Sequence, residues 1–306
     1  MYTINNKTNM KKTLLIFAAI ALLASCNKAQ EQPQTASFTV TLDASQTKAA
    51  ADGDGAAACV DEFILQVYDA AGVLYYQKTN TRVENSLSTT FEVLLTKKQS
   101  FTLLFWADKA GNYSTSDLRK VTMADPAAAG LDSKDAFCAC YELSAAENAN
   151  GLSKNITLKR PLAQLNIIAT DLKARKEKLT PEAYAKFEPK NQEVSLTVPT
   201  KFNVQTSETS EPQTIDLAEA GCYGNYSEPS DKTTMFMGYV FAAADQELAE
   251  ISYAFELDGT PNSIEITNVP YRRNYRTNII GSFFDVNTTW TVTIDPDWDQ
   301  PEYNKN

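Results

Sequence analysis

Apolar and polar residues alternate with period two along most of this chain. Ser37–Asp43 is a clean example: Phe38, Val40 and Leu42 face one way, Thr39 and Thr41 the other, as on a half-buried strand. Phe63–Asp69 and Val73–Lys78 flank the turn residues Ala70-Ala-Gly72, and Leu87–Leu95 and Phe101–Ala107 flank Thr96–Ser100. Both pairs read as hairpins. Phe137–Leu143 and Asn155–Lys159 bring the first half to seven strands, and the stretch 111–130 reads as irregular. Further strands are expected at Glu193–Val198, Thr233–Ala242, Leu248–Leu257, Ser263–Asn268, Asn274–Phe284 and Trp290–Ile294. One short helix opens at Thr180-Pro181-Glu182 and runs through Phe187, with Thr as N-cap, Pro at the first helical position and an acid in the first turn. Leu172–Lys178 reads only as charged.

Leu158-Lys-Arg-Pro-Leu-Ala-Gln-Leu-Asn-Ile-Ile-Ala-Thr170 lies between the two sets of strands. Pro161 lacks an N–H and suits the first residue of a strand. Leu165, Ile167 and Ala169 then alternate with Gln164, Asn166 and Ile168. This stretch reads as the seam between two β domains, over residues 37–160 and 161–295, with a flexible tail at 296–306. The pattern predicts an all-β fold of two tandem β-sandwich domains, with one short helix in the second. Its 306 residues suit two domains that each bury a core without disulfides. Leu95–Leu104 faintly echoes Val269–Asn278, as tandem copies of one sandwich would; chance explains so short a match nearly as well.

The N-terminus has another pattern. Met10-Lys11-Lys12 is basic, Thr13–Leu23 is apolar but too short for an ordinary membrane span, and Leu23-Ala-Ser-Cys26 follows. Residues 1–25 read as a lipoprotein signal peptide, cut between Ser25 and Cys26, with Cys26 carrying the lipid. The plainer alternative is a secretory signal with a chance cysteine. Lipid on Cys26 would tether the chain to a membrane without a spanning helix. Residues 26–36 read as a polar tether, and Ala44–Ala58 as a loose surface loop.

Composition narrows the chemistry. Lysine and arginine number 28 against 38 acidic residues, so nucleic acid is not an expected partner. Histidine is absent, which removes the Ser-His-Asp triad, the Cys-His pair and imidazole metal ligands. No Walker loop, GxGxxG or GxSxG is present. Asp52-Gly-Asp-Gly55 begins like a calcium loop, but Phe63 stands where the twelfth-position Glu should be. Cys59, Cys138, Cys140 and Cys222 lack zinc-site spacing and read as buried thiols or one cross-strand disulfide. Arg272, Arg273 and Arg276 form the densest basic cluster: an anion site, or charges paired with local acids. The chain is expected to be no enzyme and to need no cofactor or metal.

Three stretches, Leu158–Ile168, Phe105-Trp-Ala-Asp108 and Asn268-Val-Pro-Tyr-Arg-Arg-Asn-Tyr-Arg-Thr-Asn-Ile-Ile-Gly281, resemble stretches of the fimbrillins, the pilus subunits of Bacteroides-type bacteria. With the lipoprotein signal, the resemblance covers most of the chain. It implies two transthyretin-like domains and a structural, adhesive role in a surface pilus. It also implies export as an outer-membrane lipoprotein. In stalk subunits a trypsin-like protease then removes the anchor and first strand, and the subunits polymerise by strand exchange. Anchor subunits keep their lipid, and tip subunits cap the fibre. The implied partners are subunits of the same type, anchor or tip subunits, and outer-membrane lipid through Cys26.

One internal comparison bears on strand exchange. Phe38-Thr-Val-Thr-Leu-Asp43 and Trp290-Thr-Val-Thr-Ile-Asp295 share four of six residues, and the other two are aromatic for aromatic and aliphatic for aliphatic. A groove built for Phe38, Val40 and Leu42 should accept Trp290, Val292 and Ile294. The loop between the first strand and the rest carries Lys48-Ala49, a candidate cleavage point. Many fimbrillins have arginine there. The competing reading is a monomeric surface lipoprotein that binds glycan, or an anchor or tip subunit that does not polymerise.

Overall fold

A computed structural model describes residues 32–43, 60–84, 86–125, 134–219, 232–284 and 288–296. In chain order the first strands are β1 (Pro33–Leu42), β2 (Glu62–Asp69), β3 (Leu74–Thr81), β4 (Ser88–Thr96), β5 (Phe101–Asp108), β6 (Tyr113–Ser114), β7 (Val121–Met123), β8 (Phe137–Leu143) and β9 (Leu152–Leu158). They are followed by β10 (Leu162–Ala169), β11 (Lys190–Asn203), β12 (Glu208–Glu219), β13 (Thr233–Phe241), β14 (Glu247–Leu257), β15 (Thr260–Tyr271), β16 (Arg276–Ser282) and β17 (Thr289–Asp295).

In the first half, a sheet ordered β4-β1-β9 faces a sheet ordered β3-β2-β5-β8. In the second, β13-β10-β16-β17 faces β12-β11-β14-β15. Apart from β17 the two orders are the same plan: β10 takes the place of β1, antiparallel to β13 on one side and parallel to β16 on the other, as β1 lies between β4 and β9. The plan equates β4 with β13 and β5 with β14. The sequence echo of Leu95–Leu104 with Val269–Asn278 therefore lines up strands that are not equivalent.

Alternation places the cores as expected. Ala36, Phe38, Val40 and Leu42 are buried between the first two sheets with Phe91, Val93, Leu103 and Phe105. Ala163, Leu165, Ile167 and Ala169 do the same between the second pair. β1 starts at Pro33, inside the stretch read as tether, and Ala36 is already in the core.

The seam holds more than a connector. β5 is covered on both faces: Phe105 enters the first core, while Leu104 and Trp106 enter a third cluster with Tyr113, Phe202, Tyr239 and Phe241. That cluster draws on both halves. The stretch read as irregular contains β6 and β7, and β7 pairs with β11 at Lys201↔Thr122 and Phe202↔Val121. A hairpin from the first half thus extends a sheet of the second.

The expected single helix is two. Pro181–Phe187 is there, with Ala183 N donating to Thr180 Oγ1 at 3.3 Å. The stretch read as charged forms another, Leu172–Glu177. Tertiary contacts hold it: Leu172 is buried and Arg175 donates to the Phe284 carbonyl at 2.6 Å. A stretch this short carries too weak an intrinsic helix signal to read alone.

The shared cluster predicts that the two halves melt together. Truncating Trp106 to Ala removes its largest side chain, which costs about 3–5 kcal/mol. The expected result in calorimetry is one transition for the unmodified protein and a lower, split transition for Trp106→Ala. Two separate transitions in the unmodified protein would contradict a coupled seam.

Candidate functional site

The site begins with β1. It pairs with β4 from Pro33↔Thr96 to Thr41↔Ser88 and with β9 from Ala36↔Leu152 to Leu42↔Leu158. Its loss would part β4 from β9 and open a groove lined by the first core. Burying Phe38, Val40 and Leu42 is worth roughly 1.5–3 kcal/mol each before ordering costs. Side chains fasten the strand as well. Gln34 Nε2 donates to the Asn148 carbonyl at 2.7 Å and to its Oδ1 at 2.9 Å, and Gln34 Oε1 accepts from Gly151 N at 2.6 Å. Asn148 is itself buried and donates to the carbonyls of Thr96 and Gln99 at 2.7 and 2.9 Å. Neither residue stood out in the sequence, because their partners lie far away along the chain.

Trp290, Val292 and Ile294 lie on β17, which among the described residues pairs only with β16, antiparallel, from Arg276↔Asp295 to Ser282↔Thr289. Val292 packs against the second core. Trp290 is 36% exposed and Ile294 is half-buried. Two strands with the same inward pattern thus have unequal homes: β1 is central and wholly buried on its inner face, β17 is marginal. Ser25, Cys26, Lys48 and Ala49 lie outside the described residues, as do Cys59 and Cys222.

The three resembling stretches have distinct structural roles. In the first, Leu158 is in the core and Arg160 is buried. Arg160 Nε donates to both oxygens of Asp135 at 2.8 and 2.7 Å, and its Nη2 lies 2.6 Å from Oδ2. Its guanidinium also stands 4.7 Å from the centre of the Phe137 ring. Removing one partner of such a pair leaves a buried charge uncompensated. In the second stretch, Phe105 and Trp106 split between two cores and Asp108 is fully buried. In the third, the arginines do not form one patch. Arg272 donates to the Ala244 carbonyl at 2.7 Å, Arg273 to the Ser207 carbonyl at 3.0 Å, and Arg276 is buried 3.5 Å from Asp295. Arg272 precedes β16 and Arg276 opens it, so the two do not share a strand face.

Cys138 and Cys140 are free thiols on one face of β8, opposite Trp106 and Leu104, and burial pushes both up to about 12. Among the described residues no group of three or more His, Cys, Asp or Glu could hold a metal, and no helix is long and apolar enough to cross a membrane. A cavity of about 220 Å³ lies beside the seam, lined by Met123, Pro199, Lys201, Glu211, Ile215 and Phe241 among others.

The sequence profile of one protein family matches residues 28–306. The chain belongs to the Family of unknown function (DUF6562). No curated protein matches it. The fold is similar to that of a candidate adhesin from Bacteroides ovatus, at 10% identity and a TM-score of 0.52, over 88% of this chain and 95% of that one. It is also similar to a candidate cell adhesion protein from Parabacteroides distasonis, at 15% identity and a TM-score of 0.51, over 87% and 98%. The tip fimbrial protein Mfa3 from Porphyromonas gingivalis, truncated at its C-terminus, aligns at 12% identity and a TM-score of 0.49, over 87% and 100%. The two structures with a TM-score above 0.5 are described as adhesion proteins, and what the likeness shows of this chain is its all-β fold.

The motif carboxyl at Asp108 gives a pH prediction. Burial, and then the charge of Glu62 across the strand pair, raise it to about 8, while the Trp106 indole works the other way. The folded protein therefore keeps a proton that the unfolded chain releases near pH 4. Stability is fullest below that point and declines as pH rises towards about 8. The urea midpoint should fall between pH 5 and pH 8, and Asp108→Asn should flatten the decline. A midpoint that rises over this range in the unmodified protein would contradict the assignment.

Proposed function

We propose that this chain is a structural subunit of a cell-surface fimbrial assembly, exported as an outer-membrane lipoprotein through Cys26 and joined to further copies by strand exchange. The observation that carries the reading is the contrast between β1 and β17. One pattern occurs twice. β1 places Phe38, Val40 and Leu42 wholly in the core, whereas β17 lies at a sheet edge with Trp290 exposed. Cutting at Lys48-Ala49 would separate β1 and the lipid from the remainder. The emptied groove would present apolar surface and two unpaired strand edges, which a neighbour's β17 could cover. The similarity in fold to candidate adhesins supports the surface role.

Val292→Asp places a charge where the groove would take an aliphatic side chain, and Lys48→Ala removes the cut. Both variants should lose the high-mass ladder on unheated gels of surface extracts while the monomer stays folded. Unaltered polymers in Val292→Asp would exclude β17 as the donor. A lipid-bearing monomer in the unmodified protein would favour an anchor subunit or a glycan-binding lipoprotein.

A further inference from the structure

β17 is paired with β16 along its whole length, with unusual contacts at both ends and little core packing between them. At its start, Trp290 lies opposite Gly281. A Cβ placed on Gly281 would stand 2.7 Å from Trp290 Cβ and 2.8 Å from Trp290 Cα, with the Thr289 carbonyl oxygen nearer still. Two of these three atoms are backbone and the third is a Cβ, so no side-chain rotation makes room. The close approach of the two strands needs glycine here, and for packing, not for turn geometry. At its end, Asp295 lies opposite Arg276. The guanidinium is fully buried, and the carboxylate 3.5 Å away is partly exposed on the strand edge. A buried cation with a carboxylate beside it is strongly disturbed when that carboxylate is lost. Between the two ends, Val292 is the side chain that packs on the core, and Thr291 and Thr293 face solvent.

Among the described residues the first half has no such berth. Aligning the inward residues of β1 and β10 (Phe38 with Leu165, Val40 with Ile167, Leu42 with Ala169) sets Leu158 of β9 where β16 has Gly281, and Ser153 where it has Arg276. The shared plan therefore does not by itself make a place for an eighth strand. Two residues of β16 do.

We infer that β16 and β17 form a releasable latch, with Gly281 and the Arg276–Asp295 pair as its two fastenings, so that β17 opens as a unit while the rest of the second sandwich stays folded. Edge strands with few buried contacts open locally at a lower free energy than the core. The latch rests on the geometry of the monomer. Its use, keeping the donor strand at home until a groove is offered, rests on the strand-exchange reading.

Hydrogen exchange of the full-length monomer, read by mass spectrometry, tests it. Peptides covering 289–295 should exchange at least tenfold faster in Asp295→Asn and in Gly281→Ala than in the unmodified protein, with β10 and β14 unchanged. Asp295 is on the strand edge, so Asp295→Asn keeps the test open if Gly281→Ala fails to fold. Unchanged protection of β17 in Asp295→Asn overturns the latch, and so does loss of protection throughout the second sandwich. Polymer formation is scored separately. Faster exchange at β17 with slower or absent polymers leaves the latch standing and removes the strand-exchange reading.

Discussion

A three-stranded sheet cannot lose its middle strand and remain a sheet. β1 holds β4 on one side and β9 on the other, and it sends Ala36, Phe38, Val40 and Leu42 into the first core. Whatever removes β1 must therefore be followed by something that replaces it. The same constraint gives the second half its form. There β10 is the middle strand, joined to the first half through Pro161 and continuous with the seam, so no cut in a surface loop could free it alone. Two sandwiches of one plan thus differ in where the central strand falls along the chain. In the first it precedes the body of the chain; in the second it is embedded in it.

The seam makes the pair of sandwiches one mechanical body. β5 is apolar on both faces because both are covered, and a hairpin from one half completes a sheet of the other. A buried Arg160–Asp135 pair ties the connecting peptide to the start of β8. Breaking such a pair typically costs 3–5 kcal/mol. The resembling stretches fall at the seam and along β15 and β16, where their side chains are core and ion-pair residues.

Much of this fold was legible in the alternation of residues. β1, β2, β5, β8, β13 and β14 lie close to where the sequence puts them: β1, β8 and β14 alternate against one core, while β2, β5 and β13 are apolar runs covered on both faces. β12 was not legible: Glu208–Glu219 carries few apolar residues and a proline, which only an edge strand tolerates. β6 and β7 are too short to show a period: they pair with each other, and β7 is held by β11. For the candidate site, Phe38, Val40 and Leu42 could be read directly, as could the match between β1 and β17. Gly281, Arg276 and Asp295 could not be read as a set. What joins them is the β16–β17 register, and a register is invisible until the partner strand is known.

If β17 takes the place of β1 in another copy, as proposed, a cross-strand disulfide will trap it there. In the monomer Thr39 lies opposite Thr90 on β4, hydroxyl to hydroxyl at 3.0 Å. Thr291 is the β17 counterpart of Thr39, and at home it lies opposite Ile280. Cysteines placed at Thr90 and Thr291 of one chain are therefore apart in the monomer and opposed across neighbouring copies after exchange, at a separation suited to a cross-strand contact. The double variant, oxidised in its polymers, should yield a covalent ladder that survives boiling and collapses on reduction. Either single variant should give none. Polymers of the double variant that boil to monomer without reductant would contradict the proposal.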